Sequence, residues 1–262
     1  MLVLDFSTLL DMLASFMFLM VRTSALFLVA PVFVIPSISI YIRVVFSAVV
    51  VIMIMGSADV KQIAITPTMS DVSGVLQEIV LAAAMGFVIK MIFASVSIAG
   101  EYISSMMGLS FASIVDPATS DSTPLLSQFM TVMLTLVFLS LNGHIILITM
   151  LKDSYILLPA GSISISYQSL LQVIMVGGYM FVASVIILVP VGLVLFMANI
   201  TIGVLTRLSP QMNIFSIGFP FSIILGIVVM AVSLPGVEAY MQEIVLTSFE
   251  RVRDIMLSSD WK

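Results

Sequence analysis

Residues able to do chemistry are few and badly spaced for it. The chain holds one histidine, His144, and no cysteine. A lone imidazole without a second histidine, a thiolate or an HExxH spacing cannot assemble a zinc site or a Cys–His nucleophile pair; a structural histidine bonded to backbone is the plainer expectation. Asp116 stands before Pro117, where a carboxylate suits either a proton relay or an ordinary turn start. No nucleophile–base pair or metal-ligand spacing is visible, so the residues point to a chain that is not an enzyme and needs no cofactor.

The remaining chemically distinctive residues are charges inside apolar segments. Arg22 sits within the first such segment, Arg43 at the start of the second, and Lys90 deep in the third between Glu78 and Glu101. An unpaired charge facing lipid costs several kcal/mol, roughly 3 kcal/mol or more at a helix centre. Lys90 and Glu101 share a helical face, but a rise of 1.5 Å per residue sets them roughly 16 Å apart. Arg22 has no acid within a helical turn. Partners must therefore come from other helices or other subunits, whereas Arg43 and Lys152, nearer segment ends, can snorkel to water.

These charges sit in a chain that is 61% hydrophobic and 9% charged, with a net charge of −5 from 14 acidic and 9 basic residues. Soluble domains carry about 25% charged residues, so a bilayer is the expected solvent. The sparse basic residues never cluster, which excludes a nucleic-acid footprint. The elements that must position the charges are apolar segments long enough to approach the roughly 20 residues of a membrane crossing: Leu9–Ile35, Val75–Ala99, Leu125–Leu151, Leu170–Thr206 and Ile214–Leu234, with a shorter one at Ile42–Met55. The fold class is all-α. Met1–Asp5 lacks a basic region, so the first segment is read as a retained helix, not a cleaved signal peptide. Gly177, Gly178 and Pro190 divide the fourth into two helices or bend it. Polar connections are expected at Gly56–Gly74, Asp116–Pro124, Lys152–Ser169 and Leu208–Asn213.

Met106–Pro117 interrupts this apolar pattern with small residues among bulky ones. Backbone that is not helical must be buried in protein or line a cavity when it lies at membrane depth, so the segment points to a pathway through a membrane assembly. Met106, Met107, Leu109, Phe111 and Ile114 supply apolar bulk, with Val115 beside them; Gly108, Ser110, Ala112 and Ser113 leave the backbone room to move, and Asp116-Pro117 ends the stretch. A deformable apolar constriction of this kind blocks ions by dewetting. A secondary transporter with a broken helix at the midplane is the alternative, with Asp116 and Lys90 as coupling-ion residues. It is opposed by the lack of an internal repeat and by the few polar side chains available to hold a solute.

Arg22 with Ala30-Pro31, Gly100-Glu101, Met107–Ala112, Asp116-Pro117, Phe138–His144, Arg207–Phe215 and Ile217–Pro220 stand in order along nearly the whole chain. These blocks together resemble the FliR family of flagellar export-gate subunits, related to the T-type export-apparatus proteins of virulence type III secretion. Ser104 stands where the family pattern has glycine, and Met106 where it has glutamine. The resemblance implies a subunit of the flagellar type III export gate. With FliP-like and FliQ-like subunits it would form the channel that passes unfolded flagellar proteins across the bacterial inner membrane at the flagellar basal body, with an FlhB-like switch protein and membrane lipid as further partners. It implies a FliP-like part over about residues 1–180 with the plug near 106–117. A FliQ-like helical hairpin follows over about 182–234, and a C-terminal tail over 235–262.

The hairpin would turn at Ser209, Pro210, Gln211 and Asn213, because proline ends the helix before it. Asn199, Thr201 and Gly203 suit close contact and hydrogen bonds between helices, and Arg207 in the last turn opposes the negative end of the helix dipole. Arg22, Lys90, Glu101 and Arg207 are the charges expected at subunit interfaces.

Overall fold

A computed structural model describes residues 6–34, 39–56, 69–109, 125–159, 167–208 and 214–257. Among them the chain is all-α: α1 (Phe6–Val29), α2 (Ile40–Met55), α3 (Met69–Met106), α4 (Leu125–Ser140), α5 (Gly143–Leu157), α6 (Tyr167–Leu208) and α7 (Ile214–Leu257). Met12–Val29, Ser73–Met106, Leu170–Leu208 and Pro220–Leu257 are long and apolar enough to cross a membrane, and α4 with α5 makes a fifth candidate if that bent pair counts as one span. Helix α2 has 16 residues, a rise of about 24 Å, short of the roughly 30 Å of hydrocarbon.

The helices distribute into two compact units. One takes α1, α2, α3 up to Met91, α5, α6 up to Gly177 and α7 from Leu246. The other takes α3 from Ile92, α4, α6 from Gly178 and α7 up to Val245.

Helical periodicity decides what each unit buries. In the first unit, Leu81, Met85, Val88 and Ile89 of α3 recur at steps of three and four, and Leu147, Leu151 and Tyr155 do so on α5. In the second, Ile187, Val191 and Leu195 of α6 and Met130, Leu134 and Phe138 of α4 do the same, with Phe93 meeting Phe138 edge-on at 6.0 Å.

Several boundaries differ from the sequence-based expectations. Helix α3 runs Met69–Met106, past both ends of Val75–Ala99 and into the connection expected at Gly56–Gly74. Helices α5 and α6 take Lys152–Leu157 and Tyr167–Ser169 from the connection expected at Lys152–Ser169. Helix α1 stops at Val29 because Ala30 precedes Pro31, and the residue before proline avoids the α conformation. The segment expected as one over Leu125–Leu151 is two helices, parted at Leu141-Asn142. Asn142 takes the left-handed conformation, φ 55°, a region that asparagine tolerates better than most residues, and its carbonyl accepts from the Ile145 and Ile146 amides to start α5. The Leu170–Thr206 segment is a single helix in which Pro190 is interior. Proline there removes the hydrogen bond to the Ile186 carbonyl, and both residues are exposed. Finally, residues 235–257, expected as a tail, are the last part of α7. Val237, Met241 and Val245 in the second unit, and Phe249, Val252 and Met256 in the first, are buried at helical spacing.

Candidate gate segment and buried charge node

Arg22 lies in the first unit with no exposed surface. Its Nε donates to Glu78 Oε2 of α3 at 2.5 Å. Nη1 donates to the Ser154 carbonyl at 2.9 Å and to Ser154 Oγ at 3.1 Å, and Nη2 to the Leu158 carbonyl at 2.9 Å. The guanidinium also stacks over the Tyr155 ring, 4.3 Å from its centroid. Tyr155 in turn donates to the Leu19 carbonyl at 2.7 Å and shares a hydrogen bond with Thr23 Oγ1 at 3.0 Å.

Chain physics explains the arrangement. The end of α5 carries the negative end of its dipole and the Leu158 carbonyl lies past its last turn, so a cation from α1 meets both, the Ser154 carbonyl accepting from Arg22 in addition to the Leu158 amide. Glu78 neutralises that cation. The planar fork of arginine serves three directions at once, which a lysine ammonium does with less definition. Arg22, expected as a charge at a subunit interface, is therefore satisfied inside its own chain.

The second site is the start of the Met106–Pro117 segment; Ser110, Phe111, Ala112, Ser113, Ile114, Val115, Asp116 and Pro117 lie outside the described residues. Gly108 has φ 81°, and the Leu109 amide donates to the Ser104 carbonyl at 3.1 Å while the Gly108 amide donates to the Ser105 carbonyl at 3.0 Å. This pair of bonds is a Schellman cap, in which glycine takes the left-handed position at no steric cost. The Met107 amide closes onto the Ile103 carbonyl at 2.9 Å. The next carbonyl, that of Met106, accepts from Asn199 Nδ2 of α6 at 3.0 Å. Every carbonyl from Ile103 to Met106 thus has a donor.

Side-chain packing reinforces the cap. Met107 is 2% exposed and fills a notch above Gly226 of α7, where a Cβ would lie 2.6 Å from its Cγ and 2.8 Å from its sulfur. Met106 Sδ lies 3.5 Å from the Cβ position of Gly192 on α6. Ser222 Oγ of α7 donates to Asn199 Oδ1 at 3.0 Å. On the preceding turns of α3, Gly100 approaches α4 so closely that a Cβ would sit 2.6 Å from Ser127 Cα. Beside it, Ser127 Oγ donates to the Ser97 carbonyl at 3.0 Å.

Among the other expected residues, Lys90 and Glu101 are exposed on α3 and make no ion pair with each other, and Glu78 is taken by Arg22. Arg207 is exposed in the last turn of α6. Ser209, Pro210, Gln211 and Asn213 lie outside the described residues. Of the three positions expected to join helices, Asn199 does so. Thr201 donates instead to the Met197 carbonyl of its own helix, and Gly203 has nothing within 4 Å of its Cβ position. His144 Nδ1 is buried and has no hydrogen-bond partner among the described residues. Sequence reasoning missed Gly192, Ser222, Gly226, Ser154 and Tyr155. Glycines in α6 and α7 were the available signal, because glycine inside a helix lacks a local reason and marks close approach.

An all-α chain with four span-length apolar helices and a capped helix end leading into an apolar segment has the make-up of an integral membrane protein. The model for bacterial export proteins, family 1, matches residues 13–248, and the chain belongs to that family. The flagellar biosynthetic protein FliR of Escherichia coli (strain K12) is 35% identical over 69% of each chain. FliR of Pectobacterium carotovorum subsp. carotovorum is 30% identical over 73% of this chain and 74% of its own. FliR of Bacillus subtilis (strain 168) is 24% identical over 95% and 97%. The resemblance carried by the sequence blocks and the family match agree.

Proposed function

We propose that the chain is a subunit of the flagellar type III protein export gate in the bacterial inner membrane, within the flagellar basal body. It forms with FliP-like and FliQ-like subunits the channel through which unfolded flagellar proteins pass. Membership of the export family supports the first half. The observation that carries the second is the unpartnered apolar surface of α6, where Val182, Val185, Ile186, Val189, Leu193 and Phe196 are all exposed. A surface of this kind needs lipid or protein against it.

Residues 1–180 act as the FliP-like part and 182–234 as the FliQ-like hairpin, with Arg207 and the turn at 209–213 facing neighbouring hairpins or an FlhB-like switch protein. Met106–Pro117 serves as the plug. Native mass spectrometry of the chain co-expressed with FliP-like and FliQ-like subunits tests this reading. The expected result is a mixed assembly of fixed stoichiometry. A chain that purifies alone, with neither subunit retained, would overturn it.

A further inference from the structure

We propose that a groove between α5 and the last turns of α7 binds one phospholipid whose zwitterionic headgroup carries a primary ammonium, a phosphatidylethanolamine.

The groove lies wholly within the first unit and has a volume of about 540 Å³, inside the range of roughly 300–1,000 Å³ found for small-ligand sites. Met150 of α5 and Phe249 and Met256 of α7 line it as buried residues, and Ile156 and Leu257 as exposed ones. Asp153 of α5 and Glu250 and Arg253 of α7 line it too, and all three are exposed. Among the described residues none of the three has an ion pair or a hydrogen bond, although Glu250 and Arg253 stand one helical turn apart. Charges of both signs thus meet an apolar surface and leave each other unanswered.

Their depth follows from helix length. Helix α7 has 44 residues, a rise of roughly 66 Å against about 30 Å of hydrocarbon, so part of it stands outside. Glu250, Arg251, Arg253 and Asp254 crowd near its end, where each would cost roughly 3 kcal/mol at the centre of a bilayer. That end therefore leaves the hydrocarbon, and a groove with both apolar and charged lining suits the headgroup boundary.

Charge selects the headgroup. Two carboxylates against one guanidinium leave one negative charge in excess, which repels an anionic lipid. A zwitterion brings a phosphate to Arg253 and an ammonium to Asp153 and Glu250. A primary ammonium offers three N–H donors, as lysine does. A quaternary one offers none and favours an aromatic cage, whereas Phe249 is the one aromatic side chain lining the groove among the described residues. A purely basic protein segment would leave Arg253 facing like charge. Ile156 and Leu257 offer an acyl chain its apolar contact.

The test strips lipid from the full chain in detergent and adds back dioleoyl phosphatidylethanolamine, phosphatidylcholine or phosphatidylglycerol, with native mass spectrometry counting what is bound. One phosphatidylethanolamine is expected to bind saturably, roughly tenfold more tightly than either of the others, the factor of a charge-assisted hydrogen bond. Asp153→Asn combined with Glu250→Gln should erase the preference over phosphatidylcholine. Arg253→Gln should weaken both zwitterions alike. These side chains are exposed and unpaired, so melting temperatures without lipid should match the parent and separate a lost site from a lost fold. Ile156→Trp, which fills the groove from an exposed position, should reduce binding of all three lipids.

Equal binding of the three lipids, a count that climbs past one without saturating, or a preference kept by the charge variants would overturn the site. In native membranes a photocrosslinking residue at position 156 is expected to capture lipid. Capture of a protein subunit there instead would assign the groove to a protein partner and overturn the lipid.

Discussion

Arg22 of α1 and Glu78 of α3 meet at 2.5 Å with no exposed surface on either side chain. They stand 56 positions apart in sequence. Their pairing joins α1, α3 and the end of α5 in one node, because the same guanidinium also takes the Ser154 and Leu158 carbonyls.

Breaking this pair from one side strands a buried charge, which typically costs about 3–5 kcal/mol. Arg22→Met and Glu78→Leu are each expected to lower thermal stability and detergent-extracted yield strongly. The double variant should be less damaged than the sum of the two, since it removes both charges together. Arg22→Lys should recover only part of the loss, because an ammonium cannot reproduce the fork. Unfolding curves for the four chains measure this; additive losses would show that the node is not coupled.

Gly100 is expected to tolerate no side chain. A Cβ there meets the backbone of Ser127, which cannot rotate aside, so Gly100→Ala should destabilise by about 1–3 kcal/mol of overpacking, and Gly100→Val by more. By contrast, Gly203→Ala meets open space and should be neutral or slightly stabilising through helix propensity alone. Equal losses at the two positions would count against steric approach as the cause.

Ser104 is fully buried, and its Oγ has no hydrogen-bond partner among the described residues. Leaving a hydroxyl unmet costs about 1–3 kcal/mol. Ser104→Ala is therefore expected to hold or raise the melting temperature, an uncommon outcome for a core substitution. A clear drop would mean that the hydroxyl is bonded to water.

Lys90 is exposed on α3, so Lys90→Glu should change the stability of the chain itself by no more than about 0.5 kcal/mol. Its proposed role at a subunit interface predicts a loss of mixed complex at unchanged stability, with recovery when the partner acid is reversed. Normal assembly and export by Lys90→Glu would remove that role.

What the sequence determined by itself was the solvent, the class of element and the family. Length and apolarity of the segments follow from the thickness of a bilayer and the rise of a helix, both local quantities, and the ordered blocks that carry the FliR resemblance are read along the chain. Gly108 was legible as part of an interruption for the same reason: a glycine beside a helix end acts through its own φ angle.

Tertiary structure alone decided where the charges go. Arg22 announces an unmet need within its own helix, but its partner lies on another helix and two of its acceptors are backbone carbonyls, which have no signature in a side-chain sequence. Glu78 shares its segment with Lys90 and stands 56 positions from Arg22, yet packing of α1 against α3 pairs it with Arg22. Pro190, which would break an isolated helix, is accommodated inside α6, whereas Asn142, a milder signal, parts α4 from α5. The notch at Gly226 was equally invisible, because a missing Cβ acquires meaning only when another helix brings Met107 to it. Local rules govern which residues can be helical; which neighbours they meet depends on close approach between segments distant in sequence, and only the folded chain sets that.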